Sequence, residues 1–275
     1  MIFTPLLLII NATFSSYNNF YAKDTLQKGI KTNAYIYALN VALLVFSVFL
    51  FIFYPFDITF KLDLILLIIL AAILRIGDLF GMVKGLEVVT PMEMVTFGSL
   101  ATAITYFIDV SIGASSFKIF ALLAILLVVL GTFILSKGNT GFNKAKLALI
   151  LKVTMSVARG YVAYFILKQI SPASYIFFMA FLGCVFLLPF TKQIKPTTVA
   201  FKKAFLIQIF GVVSFLFAAI LSASSATLYM LVTPLSLAIT ILATYFINKQ
   251  KTSRVQFIAS IIVLLGVLSF AFTQL

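Results

Sequence analysis

Ten apolar runs take up nearly the whole sequence, near 4–22, 34–54, 64–84, 90–108, 117–136, 147–167, 173–190, 203–222, 225–247 and 254–273. A helix crossing the hydrocarbon core of a bilayer needs about 20 mostly apolar residues. Lipid offers no partner for an open backbone amide, so such runs must close their own hydrogen bonds as helices. The chain is therefore expected to be an all-α integral membrane protein with ten transmembrane helices. Composition agrees: 63% of its 275 residues are apolar and 10% are charged, against about half and about a quarter in a soluble domain. The first run lacks a basic n-region, carries Asn11, Asn18 and Asn19, and shows no A-x-A-like cleavage site. It reads as a retained helix.

Charge then orients the helices. The net charge is +13, from 20 Lys plus Arg against 7 acids. In a soluble protein that balance would suggest nucleic acid; in a polytopic one it belongs to cytoplasmic loops, and no nucleic-acid partner is expected. The loops on the side reached after the first helix hold Lys23, Lys28, Lys31, Lys84, Lys137, Lys144, Lys146, Lys192, Lys195, Lys202, Lys203, Lys249, Lys251 and Arg254. The opposite side holds Lys61, Lys118 and Lys168, a ratio of 14 to 3. The positive-inside rule places the richer side in the cytoplasm and both termini outside.

Several function classes fall away. There is no histidine and one cysteine, Cys184, which lies in an apolar run and reads as a small packing residue. No transition-metal site, cofactor or His-assisted nucleophile is expected. An intramembrane aspartyl protease needs two deep aspartates that meet, and Asp78 stands alone at depth. No G-x-x-x-x-G-K-[ST] loop is present to bind nucleotide. The chain is not expected to be an enzyme.

The sequence also repeats. LATAIT (100–105) and LSLAIT (235–240) lie 135 positions apart, and the same offset aligns ILLVVLG (125–131) with SIIVLLG (260–266). NNFYAK (18–23) parallels AYFILK (163–168), and AYIY (34–37) parallels SYIF (174–177). These four pairs keep their order, which divides the chain into a five-helix unit at 1–138 and a second at 139–275. An odd number of helices per unit inverts the second copy in the membrane, an arrangement of secondary transporters whose site lies near the midplane.

Ten helices arranged as five plus five resemble the drug/metabolite transporter superfamily, specifically its EamA-type members. The likeness is strongest in SSATLYMLVTPLSLAITILATYF (224–246) and RVQFIASIIVLLGVL (254–268), which are similar to the paired closing helices of that family. The resemblance implies a membrane transporter. Two features depart from it: the family commonly carries a Trp in its first helix, and this chain has none. The family also usually keeps both termini in the cytoplasm, opposite to the charge bias here.

Ionisable side chains at bilayer depth mark a functional pathway by default. Arg75 lies about 17 Å from either end of the third run. Asp78 is three residues on, near the same face, so the two are candidates either for an internal pair or for contact with substrate. Gly77, Gly81 and Gly85 form a separate small-residue ridge. Arg159, about 18 Å from the cytoplasmic end of the sixth run, is the second deep cation. Two guanidiniums from different halves suit a carboxylate or phosphate. Lys152 is expected to snorkel to the interface. Glu93 and the Lys84–Glu87 pair are expected near helix ends.

Polar stripes complete the candidate site. Tyr229, Thr233, Ser236, Thr240 and Thr244 share a face of the ninth run, and Gly98, Thr102, Thr105 and Asp109 share one of the fourth. Asn11, Ser15, Asn18 and Asn19 do so in the first. Pro91 suits a helix start, and Pro234 should kink its helix. The candidates for substrate binding or coupling are thus Arg75, Asp78, Arg159, Asn18, Thr105, Tyr229 and Thr240. The expected function is secondary transport of a small polar or amphiphilic metabolite, an organic anion or amino-acid-like molecule, across the cytoplasmic membrane by alternating access. Coupling to protons through Asp78 or Glu93, exchange, and flow down the substrate gradient all fit. A lipid-linked sugar flippase or a non-transporting membrane subunit is the alternative reading. Partners are then a small molecule and the bilayer, with monomer and homodimer both open.

Overall fold

The computed structural model describes residues 4–27, 30–57, 61–88, 91–135, 144–190, 197–247 and 254–273. Among them the chain forms α1 (Thr4–Gln27), α2 (Thr32–Val48), α3 (Leu62–Val88), α4 (Pro91–Ser111), α5 (Ile119–Leu135), α6 (Lys144–Ile166), α7 (Pro172–Leu187), α8 (Thr198–Ser224), α9 (Ala226–Met230), α10 (Val232–Ile247) and α11 (Arg254–Thr273). Short 3-10 turns extend α2 over Phe49–Ile52 and α7 over Leu188–Phe190. The described residues contain no strand. Thr32–Ile52, Leu62–Val83, Pro172–Phe190, Thr198–Ser224 and Arg254–Thr273 are each long and apolar enough to cross a bilayer unaided. Large apolar side chains stand outward, with Phe53 78% and Ile52 74% exposed, and need lipid rather than water around them. This is a multi-pass helical membrane protein.

Local chemistry sets the helix ends. Pro172 occupies the first turn of α7, where its missing N–H costs nothing, and the Ser171 side chain accepts from the Ser174 amide. Gly113 (φ 70°) ends α4: its N–H donates to the Val110 carbonyl and that of Ala114 to the Asp109 carbonyl, a left-handed cap that suits glycine. The ninth apolar run is broken at Leu231, between α9 and α10. Pro234 explains the position of the break, because it cannot donate to the Met230 carbonyl four residues back and its ring crowds that group. The expected kink is therefore a one-residue interruption.

The helices pack in corresponding pairs. α3 runs along α6 as α1 runs along α8; α2 packs on α8 as α7 packs on α3; α1 meets α10 as α6 meets α4. α5 pairs with α11, α2 with α7, and α4 with the broken α9–α10 segment. The α5–α11 contact is reciprocal at the level of atoms. A Cβ added to Gly131 would lie 2.8 Å from Val263 and 3.1 Å from the Ala259 carbonyl. One added to Gly266 would lie 2.9 Å from both the Ala124 carbonyl and Val128. Gly131 and Gly266, Val128 and Val263, and Ala124 and Ala259 are all related by the 135-residue offset seen in the sequence. Small residues on both sides let two backbones approach, the usual means of helix association in lipid.

Alanine at either glycine should therefore force the two helices apart. Gly131→Ala and Gly266→Ala are each expected to cost about 1–3 kcal/mol through overpacking against backbone that cannot rotate away. The two losses should be of similar size, as read by chemical unfolding of the purified protein in detergent.

Candidate functional site

The deep charges gather on the seam between α3 and α6. Lys152, Met155 and Arg159 recur along one face of α6, and α3 meets that face with Gly77 and Asp78. The Met155 side chain seats itself over Gly77, 3.1 Å from where a Cβ would stand. Either side of that contact, Asp78 receives two cations. Its Oδ2 is 3.0 Å from Arg159 Nη2, and its Oδ1 is 3.9 Å from Lys152 Nζ. Arg159 and Asp78 are each 8% exposed. Arg159 also donates to the Tyr229 hydroxyl and lies over the Tyr229 ring, 5.6 Å from its centroid. Gly160 lets α9 approach, with Tyr229 Cδ1 3.4 Å from the Cβ it lacks.

This arrangement corrects two expectations. No ion pair joins Arg75 to Asp78; the carboxylate turns to α6 instead. Lys152 does not snorkel but points at Asp78, with its side chain 14% exposed. Depth along a helix, which the sequence supplies, says nothing of the direction in which a side chain leaves it.

Arg75 is 1% exposed and points the other way, toward α2, α7 and α8. Its Nη1 donates to Asn40 Oδ1. The Asn40 amide is fixed in turn by its Nδ2, which donates to the Ile36 carbonyl at 2.9 Å. Gly183 of α7 makes room for that contact, since a Cβ there would lie 2.7 Å from Asn40 Oδ1. The Phe215 ring covers the guanidinium, 5.0 Å from Cζ to centroid. Nε and Nη2 of Arg75 have no hydrogen-bond partner among the described residues.

Beside the Arg159 guanidinium lies a small cavity of about 20 Å³, room for about one water. Arg159, Tyr175, Met179, Phe215, Ser222 and Tyr229 line it. Phe215, which covers Arg75, is also a wall of this cavity. Arg159 and Tyr229, both candidates from the sequence, meet there.

The other candidates fare differently. The Thr105 hydroxyl turns back to its own helix, donating to the carbonyls of Thr102 (2.9 Å) and Ala101 (3.0 Å), while the Thr105 carbonyl accepts from the Tyr161 hydroxyl at 2.7 Å. Asn18 is half-buried on α1, its Oδ1 without a partner among the described residues, and it does not line the cavity. Its neighbour on the stripe, Asn11, accepts from the Ser214 hydroxyl at 2.6 Å and ties α1 to α8. The side chains of Thr240, Thr244, Glu93, Lys84, Glu87 and Gly98 lie outside the described residues. Asn40 escaped sequence reasoning, although a lone amide inside the apolar stretch AYIYALNVALLVF (34–46) is the signal that could have found it.

Two aspartates tie the two halves together at the membrane face away from the basic loops. Asp109 Oδ2 accepts from the Ser225 hydroxyl (2.8 Å), the Thr227 amide (3.0 Å) and the Thr227 hydroxyl (2.6 Å), capping α9 from across the bundle. Asp57 Oδ2 accepts from the Ser171 amide at 3.1 Å, and the Asp57 amide donates to the Ser174 hydroxyl at 2.8 Å. On the same face Lys118 Nζ donates to the Thr273 carbonyl at the end of α11.

The Asp78–Arg159 pair makes a stability prediction. Removing one partner strands a buried charge, so Arg159→Leu alone should cost about 3–5 kcal/mol. Joining it with Asp78→Leu should restore most of that loss. Thermal unfolding of the single and double variants in detergent reads both.

Comparison with known proteins gives the second half a family likeness. Residues 143–272 match the EamA-like transporter family. A solved crystal structure with 12% sequence identity superposes with a TM-score of 0.69, covering 97% of this chain and 94% of that one. At that identity the likeness shows the fold. A search of curated proteins found no match. The second half is thus similar to the EamA-like transporter family, and the fold is shared along nearly the whole length.

Proposed function

We propose that this protein is a secondary transporter that carries a small polar or amphiphilic metabolite bearing an anionic group across the cytoplasmic membrane. The observation that carries the reading is a charge imbalance in the membrane interior. Arg159 and Lys152 bring two cations to the one carboxylate of Asp78. Arg75, buried three residues away on α3, adds a third that pairs with Asn40 instead. An uncompensated cation in hydrocarbon is costly, and a site that keeps one is built to receive negative charge. Units 1–138 and 139–275 act in this reading as inverted repeats. The offset-related α5–α11 contacts and the corresponding helix pairings support that symmetry.

Counterflow into proteoliposomes tests the proposal. Vesicles holding the purified protein and preloaded with a mixed organic-acid pool should accumulate labelled acids of the same class well above protein-free vesicles. Asp78→Asn should cut that accumulation by tenfold or more, about the loss of one charged interaction of 1.4 kcal/mol. Uptake no greater than in empty vesicles, across acids, amino acids and amines alike, would overturn it.

Transport proceeds by alternating access, and the ties made by Asp57, Asp109 and Lys118 form the closed gate of the state described. The 14-to-3 charge bias puts that gate on the extracytoplasmic face. On a Cys184→Ala background, Ala226→Cys at the start of α9 should react slowly with an impermeant maleimide added from outside. Adding Asp109→Ala should speed the labelling severalfold by releasing the cap. Equal rates in both proteins would remove Asp109 from the gate.

A further inference from the structure

The geometry points to the Nε–Nη2 edge of Arg75 as the subsite that takes the anionic group of the transported molecule, with Asn40 as its positioning residue. The inference rests on the transporter reading above and divides the two guanidiniums between separate tasks. Arg159 is already neutralised, with Asp78 at 3.0 Å and Tyr229 on the same nitrogen. Arg75 has no carboxylate, and among its donors Nη1 alone is engaged, by Asn40. The two vacant nitrogens are not a random pair. Nε–H and the outer N–H of Nη2 lie side by side on one edge of the planar group and point in parallel. That edge matches two oxygens of a carboxylate or a phosphoryl group, the bidentate fork that distinguishes Arg from Lys.

Asn40 keeps this edge free. With its Nδ2 bound to the Ile36 carbonyl, its Oδ1 has one direction to face and holds Nη1 from behind. Phe215 stacks on the guanidinium and walls the cavity shared with Tyr175, Met179 and Tyr229. The body of the molecule attached to the anion therefore meets aromatic and thioether surface, which suits a flat or apolar group. About 20 Å³ cannot hold such a body, so binding requires Phe215 or α8 to move, as expected of a closed state.

Binding is measured without flux, on the full-length protein in phosphatidylcholine nanodiscs, by thermal unfolding against benzoate, phenyl phosphate and sodium chloride. Benzoate or phenyl phosphate should raise the melting temperature in step with the logarithm of its concentration, and chloride should not. Arg75→Lys should weaken the apparent affinity by about tenfold or more, the loss of one charge-assisted hydrogen bond. Gly183→Ala should weaken it too, by pushing Asn40 off Nη1. Arg75→Gln should leave the ligand-free protein as stable as the wild type or more so, because it removes an unpaired buried charge. A lower melting temperature for ligand-free Arg75→Gln would make Arg75 a structural residue and overturn the subsite. So would an affinity unchanged in Arg75→Lys, a chloride effect equal to that of benzoate, or stabilisation only when phosphatidylglycerol enters the disc. A protein that binds benzoate through Arg75 but fails in counterflow would sink the transporter reading alone. One that transports while Arg75→Lys binds as well as the wild type would sink the subsite alone.

Discussion

Hydrocarbon cannot hydrate a charge, and the interior of this bundle is organised around that fact. Asp78 and Arg159 sit 3.0 Å apart on neighbouring helices because neither could remain ionised alone at that depth. Their meeting requires α3 and α6 to lie close along their length, which Gly77 permits by taking the Met155 side chain into the seam. The close seam in turn sets where the rest of α6 points: Arg159 reaches Tyr229, and Gly160 admits α9. One ion pair thus connects the packing of two helices to the shape of the cavity beside them.

The broken ninth segment shows how backbone and side chains share the same constraint. Pro234 interrupts the ladder after α9, and the extended Ser225 before it starts a new helix whose first amides lipid cannot satisfy. Ser225 and Asp109 satisfy them from within the protein, the first on the same strand of chain and the second from α4. The cost of an open helix end is thereby turned into a contact between the halves, at the face where Asp57 makes a similar one with Ser171 and Ser174. Many buried polar groups here tie helix ends or form the central cluster, and Arg75 is the guanidinium whose Nε–Nη2 edge has no partner among the described residues.

Much of the central cluster was legible from composition and spacing alone. Arg75, Asp78 and Arg159 are ionisable residues far from the ends of apolar runs, and all three are buried, Arg159 among them lining the cavity. Tyr229 was read from a polar stripe and accepts from Arg159. Thr105 came from the same kind of stripe, yet its hydroxyl bonds its own backbone, as hydroxyls in membrane helices commonly do. Lys152 was misread because axial depth suggested a route to the interface, whereas its face of α6 is the one laid on Asp78. Asn40 was missed because an uncharged amide raises no alarm in a hydropathy profile.

By itself the sequence determined the class of the molecule, the number and limits of its apolar segments, and the 135-residue correspondence that reappears in the α5–α11 contact. These are consequences of the bilayer, whose thickness and lack of hydrogen-bonding partners act on each segment separately. Tertiary structure alone decided which charge answers which. Arg75 and Asp78 stand three residues apart and would suit each other on an isolated helix. In the bundle Asp78 takes Arg159 and Arg75 takes Asn40, because each side chain leaves α3 toward a different neighbour. Helix periodicity fixes the angle between two side chains, but only the packed neighbours determine what waits at the end of each.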